Sequence, residues 1–127
     1  MFRMLTSFRA LALLAVLALS ISGSALAGSA SLIVNRDSRV CLAPIYATQS
    51  VDAQGTASYP GVRFTVHRSP NNGIYTDLYQ TSDTSLGFRA IFNTSANPNA
   101  FPGYFKLCAR NLSMTQSSTV NISIFGY

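Results

Sequence analysis

Two cysteines, Cys41 and Cys108, one histidine, His67, and four aspartates, Asp37, Asp52, Asp77 and Asp83, are the side chains of this 127-residue sequence best suited to chemistry of their own. Cys108 sits in "GYFKLCARN" and could be a nucleophile, a metal ligand or half of a disulfide. A catalytic thiol needs a histidine to activate it and a third group to orient that histidine. His67 lies in "VRFTVHR", where nothing forms such a motif. A structural zinc ion wants four ligands, and two Cys with one His and no C-x-x-C spacing fall short. The aspartates fall mostly near turns, where they serve local hydrogen bonds. There is no glutamate to pair with them, no G-x-S-x-G elbow, no P-loop and no dinucleotide fingerprint. The expectation is therefore no catalytic residue, no metal, no cofactor and no enzyme.

The beginning of the chain bears on what remains for the cysteines. Arg3 and Arg9 precede the apolar run "ALALLAVLALSI" (10–21), and "GSALA" then places small residues at Ala25 and Ala27. That is the pattern of a secretory signal peptide over residues 1–27, cut after Ala27. The run is short of the roughly 20 residues that span a bilayer as a helix. The mature chain, 28–127, reads as one soluble domain without a transmembrane segment, secreted or held in the lumen of the secretory pathway. Export exposes it to oxidation, which favours pairing Cys41 with Cys108. Closing a loop of 67 residues contributes about 4 kcal/mol in the chain-entropy treatment, a large share of a small domain's stability. The mature segment carries seven Lys and Arg against four Asp, a net +3, scattered singly. A nucleic-acid binder shows a clustered stripe instead, so no nucleic-acid partner is expected.

These residues must be held by strands. Apolar positions repeat with period two in "SLIVN" (31–35), "RVCLAPIY" (39–46), "VRFTVHR" (62–68), "IYTDLYQ" (74–80), "LGFRAIF" (86–92), "YFKLCARN" (104–111) and "TVNISIF" (119–125). Residues 47–61 read as a polar loop with at most one weak strand. Asn72-Gly73 marks a tight turn between the third and fourth of those runs. A helix over "SDTSLGFRAIFN" would start well at Ser82 or Asp83, but Thr84, Ser85 and Gly87 suit a helix interior poorly. About seven strands at short spacing predict an all-β, antiparallel β-sandwich with one disulfide. On 104–111, Phe105, Leu107 and Ala109 face the core, while Tyr104, Lys106, Cys108 and Arg110 face the other way. Cys41 likewise lies between Val40 and Leu42, so the bridge should staple strands on the outer side of the fold.

The stretch glycine, aromatic, Lys, apolar, Cys, apolar, x, Asn, here "G-Y-F-K-L-C-A-R-N", followed by a polar loop and the alternating "STVNISIF", resembles the end of the Golgi-dynamics (GOLD) domain of secretory-pathway cargo receptors. The resemblance covers about 25 residues, with "LIVNRDSRVCL" at the place of the family's early cysteine. It implies an antiparallel β-sandwich near a signal peptide and a pairing of the early cysteine with the late one. In that family a coiled coil, a transmembrane helix and a sorting tail follow the domain. This sequence ends at Tyr127 without them, so the expected role is binding rather than linkage to a coat. An immunoglobulin-like domain normally packs a Trp on its bridge, and none is present.

Surface candidates complete the reading. Asn93, Asn111 and Asn121 head glycosylation sequons, in number no enrichment over chance. Asn93 and Asn111 fall at strand-to-loop junctions where a glycan would be solvated, Asn121 outward in mid-strand, and they would make this a glycoprotein in a host that glycosylates. Tyr75 and Tyr79 should share one face of their strand and Tyr104 should lie outside the core face, together a possible binding surface. The leading expectation is a secreted or lumenal, non-enzymatic domain that binds a protein or glycan partner. The second is a structural component that self-associates into homo-oligomers by strand pairing, with "TVNISIFGY" as the donated strand.

Overall fold

The computed structural model describes residues 26–83 and 86–127. Residues 1–25, which carry most of the signal-peptide reading, lie outside the described residues. Nine strands are present among those described: β1 (Leu26–Val34), β2 (Arg39–Cys41), β3 (Ile45–Ala47), β4 (Ser50–Ala57), β5 (Val62–Ser69), β6 (Thr76–Gln80), β7 (Gly87–Asn93), β8 (Gly103–Asn111) and β9 (Ser118–Gly126), with one 3-10 turn at Pro98–Ala100. All pairings are antiparallel, and two sheets pack together as a β-sandwich. The first sheet runs β1-β9-β4-β7; the second runs β2-β8-β5-β6, with β3 also on β8. The fold class expected from the alternation is the one found.

Two differences account for nine strands where about seven were expected. "RVCLAPIY" is two strands, β2 and β3, both on the same edge of β8. Pro44 has no N–H to give the ladder, and the chain leaves strand geometry at 42–44. The stretch read as a loop, 47–61, contains β4, a central strand of the first sheet paired on both sides. Its inward residues Val51, Ala53 and Gly55 are small, which hides the period-two signal. The reason for their size is across the sandwich. A Cβ on Gly55 would sit 2.8 Å from the Phe64 ring and 3.1 Å from Ile122 Cγ2, so the close approach leaves room for no side chain.

The core lies between the sheets. Phe64 and Val66 of β5, Phe105 and Leu107 of β8, and Val120, Ile122 and Ile124 of β9 are almost fully buried, each large side chain contributing about 1.5–3 kcal/mol. Phe88, Ala90 and Phe92 face inward on β7, whereas Leu86, expected on that face, precedes the strand and is exposed. The chain alternates between sheets: β1 in the first, β2 and β3 in the second, β4 in the first, β5 and β6 in the second, then β7, β8 and β9 in turn. Every face therefore gathers residues far apart in sequence. The turns are local chemistry: Asp37 and Asn72 adopt positive φ, and Gly61 takes φ 105° before β5.

Candidate functional site

The disulfide positions the site. Cys41 of β2 and Cys108 of β8 stand directly opposite each other in the ladder and are joined, with Cα atoms 4.0 Å apart. They bridge two neighbouring strands on the outer side of the second sheet, as their flanking apolar residues implied. The formed bridge suits an oxidising, extracytoplasmic environment. Among the described residues no helix is long and apolar enough to cross a membrane.

The register brings six outward positions around the bridge. Thr65 and His67 of β5 stand opposite Cys108 and Lys106 of β8, Arg63 opposite Arg110, and Asp77 of β6 opposite His67. A bulge between Val66 and His67 leaves Leu78 as the extra residue on β6 and turns Asp77 outward and Tyr79 inward. His67 Nδ1 is 2.8 Å from Asp77 Oδ1, and its Nε2 is 3.0 Å from Arg39 Nη2. An arginine only donates, so Nε2 accepts and the imidazole proton sits on Nδ1, donated to Asp77. The same Arg39 Nη2 lies 3.2 Å from Cys108 Sγ, which covers the sulfur and explains the burial of Cys108 on a nominally outer face. Burial holds the His67 pKa below 6.5; Asp77 pulls it up, and Arg39 and Lys106 push it further down. At neutral pH His67 is an uncharged acceptor that fixes a guanidinium. Both ring nitrogens are engaged, and no described hydroxyl or thiol reaches them as a nucleophile.

Towards the other end of the same face lie the aromatics. Tyr46 of β3 stands opposite Tyr104 of β8, with ring centroids 5.0 Å apart and planes at 56°. Lys106, two residues along β8, places Nζ 4.3 Å over the Tyr75 ring. Tyr75 hydroxyl donates to Asn72 Oδ1, and burial together with neighbouring Tyr104 pushes its phenol pKa up. Tyr75 and Tyr104 are thus brought together, but Tyr79 is not with them. Contrary to the shared face expected of Tyr75 and Tyr79, the bulge turns Tyr79 toward the first sheet, where it stays exposed at the rim of the sandwich against the Phe88 and Phe92 rings. Tyr46, Arg39 and Lys106 complete the face and were not singled out from the sequence as site residues; His67 was considered there for catalysis and finds its place here as a partner of Arg39. Their signal was the outward half of each alternation, which reads as ordinary solvated surface until neighbouring strands are known.

The charges on this face are unequally used. Arg63 pairs with Asp83 at 2.7 Å and Arg110 with Asp37 at 3.2 Å. Arg39 has neutral partners only, and Lys106 has a ring. Beside Arg39, on the side away from the tyrosines, a shallow depression of about 160 Å³ is bordered by Arg39, Arg63, Thr65, His67, Asp77, Gln80, Cys108 and Arg110. A larger open groove of about 580 Å³ crosses the first sheet, lined by Ser29, Ser31, Gln54, Thr56, Asn121 and Ser123, and has no titratable group. Among the described residues no cluster of three or more His, Cys, Asp or Glu is arranged to hold a metal ion.

The sequon asparagines differ. Asn121 is exposed on the first sheet and Asn93 is half-buried, its Oδ1 accepting from the Ala96 N–H at 2.8 Å. Asn111, expected at a solvated strand end, is instead 1% exposed. Its amide donates to Val34 O at 3.1 Å and Gln116 O at 2.7 Å, and its Oδ1 accepts from Ser113 N–H. Both amide hydrogens are engaged in the interior, so a glycan there is incompatible with the fold.

No protein-family model matches the chain, and no curated protein sequence matches it. Solved structures do match in shape. The Yersinia pseudotuberculosis-derived mitogen is similar at TM-score 0.52 and 8% identity, over 80% of this chain and 86% of that one. The pre-peptidase C-terminal domain of collagenase from Bacillus anthracis is similar at TM-score 0.52 and 17% identity, over 78% of this chain and 87% of that one. At such identities the likeness concerns the fold alone.

Proposed function

We propose that this chain is an extracytoplasmic, non-enzymatic binding module that recognises a glycan or protein partner through the outer face of its second sheet. One observation carries the reading: four separate strands and a loop bring Tyr46, Tyr75 and Tyr104 onto one solvent face beside Arg39, Lys106 and His67. Tyrosines are rigid, amphipathic contact groups, and a disulfide-braced sheet holds them without loss of side-chain freedom on binding. The resemblance of 103–111 and 118–125 to the GOLD domain supports a lumenal binding role. In this reading residues 1–27 are removed on export. The first two rungs of β1, Leu26 with Gly126 and Ala27 with Phe125, lie on the amino side of that cut, so the mature edge strand begins at Gly28. In a host that glycosylates, Asn93 and Asn121 are the carriers.

The test pairs two measurements on the exported, oxidised protein. Amino-terminal sequencing should begin at Gly28. Binding to a broad glycan and extracellular-protein array should be lost in the Tyr46→Ala, Tyr104→Ala double variant while its circular dichroism is unchanged. Binding that survives the double variant would place recognition elsewhere, the groove across the first sheet being the next site to change.

Self-association through a donated β9 has less support, because β1 and β4 occupy both edges of β9 within one chain. Strand pairing between copies would run through an open edge of the first sheet instead, either β1 from Gly28 onward or the seven-residue β7. A single monomer peak in size-exclusion chromatography at high concentration argues against it.

A further inference from the structure

Resting on the reading of the outer face just proposed, we infer that its ligand is a sugar bearing a carboxylate, with the carboxylate held by Arg39 and Lys106 and the ring laid against Tyr46 and Tyr104. The argument begins with how Arg39 is used. A guanidinium has five N–H donors. Both hydrogen bonds of Arg39 leave from Nη2, one to His67 Nε2 and one to Cys108 Sγ. The Nε hydrogen and the two on Nη1 have no partner among the described residues. Arg63, Arg89 and Arg110 each rest on an aspartate, and Arg68 on the carbonyls of Ala100 and Pro102. Arg39 and Arg68 are both held by neutral groups rather than by a carboxylate, but Arg39 lies on the outer face beside the tyrosines, fixed by His67 and the bridge sulfur. A fixed guanidinium with free donors is preorganised for a planar oxyanion, and charge-assisted bonds of this kind are the strong ones.

The device that fixes it is the Asp77–His67 pair. Asp77 holds the imidazole proton on Nδ1, which leaves Nε2 as the acceptor that Arg39 needs. Lys106 stands opposite His67 in the ladder, adding a second cation on the Tyr75 ring. Tyr104 lies two residues from Lys106 on the same face, about 7 Å along the strand. Cations and aromatic platform are thus a sugar's width apart. Aromatic rings pack well against the C–H face of a pyranose, and the guanidinium and ammonium suit its carboxylate. The acidic peptide is the competing ligand, and the face favours the sugar: the outward residues of its strands near the site are Tyr, Thr, Gln, His and charged side chains, and the exposed aliphatic residue nearby, Ile74, lies in the loop beside Tyr75 and not on the strands.

The experiment uses the oxidised, exported chain and isothermal titration at low and physiological salt. Carboxylated probes are trigalacturonate and sialyllactose, which separate a uronate from a sialate source. Neutral counterparts are the methyl ester of trigalacturonate and lactose, and penta-glutamate stands for an acidic peptide. The expected result is binding of at least one carboxylated sugar, its loss in the neutral counterpart, and about a tenfold or greater weakening in Arg39→Gln. Weakening in Tyr104→Ala should appear with the sugars and not with penta-glutamate. Intact secondary structure and no free thiol in both variants show that the fold is kept. Equal affinity for the methyl ester or lactose would overturn the inference while leaving the sheet face as a glycan site. Equal affinity for penta-glutamate reduces the site to a charge hook and also overturns it. If none of the probes binds, the inference falls; if array binding also survives unchanged in the Tyr46→Ala, Tyr104→Ala double variant, the reading beneath it falls as well.

Discussion

Replacing Asn111 by Ala should destabilise the protein by about 3 kcal/mol. The buried side chain makes three hydrogen bonds, donating to Val34 O and Gln116 O and accepting from Ser113 N–H. A buried hydrogen bond contributes about 1 kcal/mol net, and a partner left unpaired in the interior costs about 1–3 kcal/mol. The bonds tie the end of β8 to the end of β1 and to the loop before β9, so the loss is spread over three connections. For a domain of ordinary stability, 5–15 kcal/mol, this is a large fraction. With a urea slope of about 1–3 kcal/mol per molar, the unfolding midpoint should fall by roughly 1–3 M. Asn111→Asp should be worse than Asn111→Ala, since a carboxylate cannot donate and would press a negative charge against two carbonyl oxygens. Urea titrations of both variants by circular dichroism read the effect directly. An unchanged midpoint in Asn111→Ala, or a glycan found on Asn111 in the exported protein, would refute the reasoning.

Three further outcomes follow from the same geometry. Gly55→Ala should cost about 1–3 kcal/mol in thermal or urea unfolding, because the added Cβ meets the Phe64 ring at 2.8 Å in a filled core; a neutral result would mean that the two sheets can separate locally. Cys41→Ser and Cys108→Ser should destabilise alike, by about 2–5 kcal/mol, and the double variant should be no worse than either, since all three remove one constraint; a mild Cys41→Ser beside a reactive Cys108 would overturn the scaffold role of the bridge. His67 has its folded pKa lowered by burial, so the unfolded chain takes up the proton first. Its contribution to stability is present above pH 6.5 and is lost as pH falls from 6.5 through the lowered folded value. Urea midpoints compared between about pH 7.5 and pH 5 should drop in the wild type and change less in His67→Gln; equal slopes would count against the linkage.

The sequence alone determined the elements whose apolar residues alternate strongly: β5, β8 and β9, the facing of Phe105, Leu107 and Ala109, and the outward cysteines joined as Cys41–Cys108. Alternation on a half-buried strand is a local property, so it survives without knowledge of neighbours. What depended on a facing surface was lost. β4 went unread because Gly55 is small in order to admit Phe64 from the other sheet. Asn111 read as a solvated sequon because its acceptors, Val34 O and Gln116 O, come from β1 and from the loop before β9. Tyr75 and Tyr79 were separated by a bulge that pairing with β5 creates, a feature with no mark in residue type. The candidate site is the extreme case: Tyr46, His67 and Tyr104 belong to β3, β5 and β8, Tyr75 to the loop before β6, and Arg39 to β2. They meet only because the chain returns to the second sheet after each visit to the first, so that the register of β8 with β2, β3 and β5 sets them side by side.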